Sequence, residues 1–224
     1  MIDHDGRPLH VRWDYTRAEM IADAVVHGIG IAFGVIGGAA IIVLAAVFAG
    51  WAQLAAVAIY AVGLVALLSV SAAYNLWPPS RTKWLLRRFD HALIYVLIAA
   101  TYTPFITRFP HGFDRYALLF GVWAVAIGGA LLKVTLPGRF DRLSIVLCIL
   151  LGASGGLAWN TISEALPPST VWLMVAGGIV YVAGVIFHVW DGLRFQNAVW
   201  HSFVLVASIL FYSAVLDGVV LVGA

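Results

Sequence analysis

Three groups of polar residues in this chain stand four positions apart: Ser71 and Asn75; Asn197 and His201; and Glu19, Asp23 and His27. On a helix that spacing puts each group on one face. Asp90 and His91 open another hydrophobic stretch, and His188 and Asp191 close a further one. Imidazole and carboxylate can hold a metal or move a proton, while hydroxyl and carboxamide can complete a hydrogen-bonded network. Ionisable groups in or near hydrocarbon are expensive, so they pair, bind something or line a cavity. A set gathered from several separate stretches is therefore the leading functional candidate.

The elements that carry these residues are membrane spans. The chain has 224 residues, is 62% hydrophobic and only 11% charged, against about 25% charged for soluble domains. A formal charge of +2 gives no reason to expect a nucleic-acid partner. Cys148, the only cysteine, excludes an internal disulfide and a cysteine metal cage; it reads as a small buried hydrophobe. The first 20 residues mix acids and bases without an apolar core, so no cleavable signal peptide is expected.

A bilayer core needs roughly 20 apolar residues per helix. No Asp, Glu, Lys or Arg lies between Asp23 and Arg81, a stretch that suits two spans with a turn near Gly50, Trp51, Ala52 and Gln53. Further uncharged stretches cover residues 91–107, 116–132, 143–163, 165–190 and 195–216, and Pro167-Pro168-Ser169-Thr170 delays one helix start to about residue 170. The expected fold is all-α and integral to the membrane: residues 1–22 form an N-terminal segment, and residues 23–224 form a seven-transmembrane-helix bundle.

Basic residues concentrate in cytoplasmic loops. With the N-terminus inside, Arg7, Arg12 and Arg17, then Arg81, Lys83, Arg87 and Arg88, then Lys133, Arg139 and Arg142, and finally Arg194 all fall on the cytoplasmic side. Only Arg108 and Arg115 fall outside. Seven spans then leave the C-terminus outside. In this topology Ser71, Asn75, Asp90, His91, His188, Asn197 and His201 share one depth near the cytoplasmic face, joined by Asp23 and His27. Trp51, Trp77, Trp84, Trp159, Trp172, Trp190 and Trp200 stand near helix ends, as interfacial belts require. Gly30, Gly34 and Gly38 read as a close-packing stripe. Gly152-Ala-Ser154-Gly-Gly156 matches a nucleophile-elbow pattern that needs a strand, and in a transmembrane helix it reads as small-residue packing.

The stretches Glu19-Met-Ile-Ala-Asp23-Ala-Val-Val-His27, Ser71-Ala-Ala-Tyr-Asn75, Leu86-Arg-Arg-Phe-Asp90-His91, Ala100-Thr-Tyr-Thr-Pro-Phe105 and Asn197-Ala-Val-Trp-His201 carry a resemblance. In their order and spacing, over nearly all of the chain after residue 17, the sequence resembles the hemolysin III proteins of the progestin and adipoQ receptor superfamily. The resemblance implies a zinc site near the cytoplasmic face, with ligands at Asn75, Asn197 and His201. Two of these three positions, histidine in the family, are asparagine here. Ser71 and Asp90 match the family; Asp23 replaces an Asn, and His188 stands where Tyr is common. A neutral carboxamide is a poor zinc ligand. Zinc would need recruits, with Asp90 and His188 first and His27 or Asp23 next. Without them the layer is a hydrogen-bonded network.

An intact site of this kind would activate water for attack on an amide or ester carbonyl, with Asp90 orienting or deprotonating the water and Ser71 donating to the oxyanion. Relatives in the wider superfamily look like lipid-amide hydrolases. Three functions follow as expectations. The first is a protein of the plasma membrane that regulates membrane or lipid state through a degenerate metal site, with membrane lipids as partners. The second is a zinc-dependent lipid-amide hydrolase, and the third is a pore-forming cytolysin. The first and fourth spans lack polar residues in their middles and the fifth has only Ser154 there, which weakens the case for a channel within one chain and leaves a pore formed between copies in a homo-oligomer. Plainer readings stand beside the sharp ones: Asp90 as a surface partner for Arg87 or Arg88, His27 as a helix-start residue, and His188 as an interfacial ring.

Overall fold

The computed structural model describes residues 15–138, 140–190 and 192–223. His4, His10, Arg7, Arg12, Arg139 and Asp191, and most of the expected N-terminal segment, lie outside the described residues. The helices are α1 (Arg17–Phe48), α2 (Trp51–Leu76), α3 (Arg81–Ile106), α4 (Phe113–Thr135), α5 (Asp141–Ala153), α6 (Trp159–Ala165), α7 (Pro168–His188) and α8 (Gln196–Val215). A 3-10 turn, Ser154–Ala158, joins α5 to α6, so that together they make one span, Asp141–Ala165. A π-helical turn, Leu216–Val220, extends α8. Among the described residues, seven spans are long and apolar enough to cross a membrane, and the element order contains no strand.

Helix starts follow capping chemistry more closely than they follow the last charged residue. Thr16 and Glu19 form a capping box, so α1 begins at Arg17, six residues ahead of the first polar-layer residue. Pro78 and Pro79 stop α2, and Ser80 Oγ accepts the Lys83 N–H at 3.2 Å, so α3 begins at Arg81. Arg81, Lys83, Arg87 and Arg88 are consequently helical, a correction to their reading as a basic loop. Lys83 is buried, and its Nζ donates to the carbonyls of Asn75 (2.9 Å) and Trp77 (2.8 Å), satisfying the exposed end of α2.

The order of packing is sequential, with α1 on α2, α2 on α3, α3 on α4 and α7 on α8; α8 then closes back onto α1. Gly30, Gly34 and Gly38 face α2, and a Cβ on Gly34 would stand 3.0 Å from Leu68. The glycine stripe is thus close helix packing, as its spacing suggests. Tyr60, Ile41, Leu64 and Val57 are fully buried at the centre.

The fifth span is fastened by polar contacts. Asp141 receives Arg87 of α3 at 3.1 Å and Lys133 of α4 at 2.6 Å. Tyr95 Oη meets Ser144 Oγ at 2.8 Å. Tyr102 Oη donates to the Gly152 carbonyl at 2.7 Å and accepts the Gly155 N–H at 2.8 Å, across the 3-10 turn. The Gly152–Gly156 segment is therefore a pinned helix break. Of its glycines, Gly155 faces Tyr102 closely, while Gly152 and Gly156 meet nothing within 4 Å.

Candidate functional site

The polar residues named from their spacing come from the starts of α1, α3 and α8 and the ends of α2 and α7, and most meet at one end of the bundle. Asp23 is the centre. Its Oδ1 lies 2.6 Å from His201 Nδ1, and its Oδ2 lies 3.6 Å from His27 Nε2. Asp23 and His27 are each only 4% exposed. The His27 and His201 rings approach with centroids 4.4 Å apart at 49°. The four-residue spacing on α1 places Asp23 and His27 on the face that α8 covers.

The other side of His201 faces α2. Asn75 Nδ2 lies 3.5 Å from His201 Nε2 and donates to the Ser71 carbonyl at 2.9 Å. Asp23 taking the Nδ1–H leaves Nε2 as the imidazole's lone pair, and Asn75 presents its amide donor there. The result is a directional chain, Asn75 to His201 to Asp23, that crosses three helices.

A cavity of about 40 Å³ adjoins this chain. Its polar wall comprises His27, Ser71, Asp90, Tyr181, Trp200 and His201, and Leu67, Leu68, Val204 and Leu205 are among the aliphatic residues that line the rest. That is room for water, given at least 10–15 Å³ per molecule and two or more polar partners. Asp90 is buried, and its Oδ2 lies 3.4 Å from His91 Nδ1. Arg87, the alternative surface partner, instead bonds Asp141.

The remaining candidates are peripheral. Asn197 is half-buried on the first turn of α8 and is not among the cavity-lining residues. His188 packs on Trp200 with ring centroids 4.8 Å apart, and its carbonyl accepts Gln196 Nε2 at 2.7 Å. His91 stands edge-on to Tyr74 at 6.2 Å. Trp200, read as a belt residue, turns inward and lines the cavity. Sequence reasoning missed the capping role of Lys83 and the inward face of Trp200; the latter is legible in hindsight from its place next to His201.

Among the described residues, Asp23, His27 and His201 form a group that could hold a metal, with one ligand atom from each lying within 4.8 Å of the others. The donor set is two imidazoles and a carboxylate, all groups that zinc accepts. His27 Nε2 is also buried without a hydrogen-bond partner, a condition that costs stability unless something binds it. These donor types suit a zinc ion, and His201 stands at a position that the family resemblance implies, whereas the other two donors, Asp23 and His27, stand on α1.

Comparison with known proteins bears on the whole chain. A family model described as "Haemolysin-III related" matches residues 16–212. A hemolysin-3 homolog of Bacillus subtilis (strain 168) is 34% identical over 90% of this chain and 95% of its own length. Hemolysin-3 of Bacillus cereus is 33% identical over 88% of this chain and 90% of its own. The human monocyte to macrophage differentiation factor is 27% identical over 70% of this chain and 67% of its own. No solved structure gives a significant match.

Proposed function

The chain belongs to the haemolysin-III family, and from that premise we propose that it regulates the state of the plasma membrane's lipids through a zinc site at the cytoplasmic end of the bundle. Asp23, His27 and His201 are the residues that would hold the ion. The observation that carries this reading is the convergence of those three donors, two from the first span and one from the last, beside a partly polar cavity. The bias of Lys and Arg supports the cytoplasmic placement.

Bound zinc supplies Lewis acidity and lowers the pKa of a coordinated water. The protein's own residues do the rest. Asp23 touches both imidazoles and sets their separation. To take an ion, His201 would release either Asp23 from Nδ1 or Asn75 from Nε2, and Asn75, at 3.5 Å and also bonded to the Ser71 carbonyl, is the looser of the two. Asp90 and Ser71 line the cavity with acceptor and hydroxyl groups. Aliphatic side chains form the rest of the cavity wall.

The role is regulatory because the three-helix hydrogen-bonded chain joins the first, second and seventh spans at one point. An ion bound there would change how those helices sit together, which is the element that a membrane-state regulator needs. Elemental analysis of the protein purified into lipid nanodiscs tests the proposal. About one zinc per chain is expected, lost in Asp23→Asn and in His201→Ala. A wild-type protein without zinc, or variants that keep it in full, would sink the reading.

A further inference from the structure

Glu19 lies one turn before Asp23 on the same face of α1 and is buried. Its Oε2 accepts the Thr16 N–H at 2.9 Å and the Thr16 hydroxyl at 2.8 Å. Those bonds belong to a capping box, in which a glutamate turns back on its own helix. Its Oε1 does something that capping does not require: it accepts the N–H of Phe195, 176 positions along the chain, at 3.3 Å.

Phe195 is the residue from which α8 springs. Its φ is 59°, the left-handed region that a bulky residue enters only where the surroundings hold it. Glu19 provides one hold. Gln196 provides the other, since its Nε2 donates to the His188 carbonyl at 2.7 Å. The start of α8 is therefore pinned to the first turn of α1 and to the last turn of α7. Asp23 stands one helical turn above Glu19, and His201 stands on α8 above Phe195. The Glu19–Phe195 and Asp23–His201 contacts are two successive rungs between the same pair of helices.

We propose that Glu19 is a positioning residue for the metal site: its bond to Phe195 sets the register of α8 on α1, and that register brings His201 onto Asp23. For its ligand the proposal rests on the zinc reading above; its geometry is independent of any ion. A carboxylate suits the position because it accepts on both oxygens. A glutamine at 19 would turn its amide donor either toward the Phe195 N–H or toward the two donors of Thr16.

The test compares the full chain in nanodiscs as wild type, Glu19→Gln, Glu19→Ala and Thr16→Val. Thr16→Val removes the capping hydroxyl and leaves the Phe195 bond, so it weakens the helix start without touching the register. Two readouts are taken: zinc affinity by competition with a chromophoric chelator, and the Nδ1–H resonance of His201 in protein labelled with 15N-histidine, assigned through His201→Ala. The Glu19 variants should bind zinc about 10–100-fold more weakly, the usual range for loss of an outer-shell partner. They should also shift or lose the His201 resonance. Thr16→Val should leave affinity within about twofold and the resonance in place. The milder Glu19→Gln keeps the test alive if Glu19→Ala does not fold.

Unchanged readouts in both Glu19 variants overturn the proposal, as does a Thr16→Val effect of equal size, which would reduce Glu19 to a cap. If the wild type binds no zinc, the zinc reading fails separately. The His201 resonance then decides: a shift in Glu19→Gln but not in Thr16→Val upholds the positioning role, and no shift overturns it.

Discussion

Asp23 and His27 satisfy the same rule as any two ligands four residues apart on a helix, so their shared face is readable from spacing alone. Their partnership with His201 is not, because nothing in the local pattern says that the first span packs against the last. That is why Asp90 and His188 look like the better recruits from sequence, while the structure puts one against His91 and the other against Trp200. The two asparagines separate in the same way. Asn75 faces His201 across 3.5 Å, whereas Asn197 is absent from the cavity wall. Asn75→His alone should therefore tighten zinc binding by roughly tenfold, and Asn197→His alone should leave it unchanged; chelator competition on the two single variants checks this. Asp90→Ala should leave any lipid-amide turnover by the purified protein at the wild-type level. An amidase activity that this substitution abolishes would replace the regulatory reading with a catalytic one.

Seven spans were legible because a run of about 20 apolar residues has few alternatives. The starts of α1 and α3 are written in the chain as well, in Thr16 with Glu19 and in Ser80 after two prolines. The break in the fifth span was not legible. Gly152-Ala-Ser154-Gly-Gly156 is compatible with helix, elbow or break, and the deciding group, Tyr102, sits some 50 residues earlier on α3. Tyr102→Phe keeps the ring and removes the hydroxyl that bridges Gly152 and Gly155. Hydrogen bonds between membrane helices average about 0.6 kcal/mol and reach about 1.7, so this variant should lose roughly 1 kcal/mol of stability in a denaturant titration in mixed micelles. Gly34→Leu should do more damage: a Cβ at Gly34 already stands 3.0 Å from Leu68, so the branched side chain would force α1 and α2 apart.

The molecule as a whole is a bundle whose polar centre draws on α1, α2, α3, α7 and α8, while α4 and the fifth span sit to one side. The cytoplasmic placement proposed for that centre makes an expectation for intact cells. In a Cys148→Ser background, Arg81→Cys should react with a membrane-impermeant maleimide only after the cells are opened, and His111→Cys should react in intact cells; the reverse pattern would invert the topology. The pinned break has a further consequence, for the order in which the protein is made. A span interrupted near its middle leaves backbone groups that hydrocarbon cannot satisfy, at several kcal/mol each. The hydroxyl that answers two of them, Tyr102 Oη, arrives earlier in synthesis on α3, the helix whose Tyr95 and Arg87 also hold Ser144 and Asp141 of this span. The fifth span is thus poorly suited to drift alone in lipid once released from the translocon. It should leave that channel already leaning on the third, so that insertion and assembly are one event for this helix.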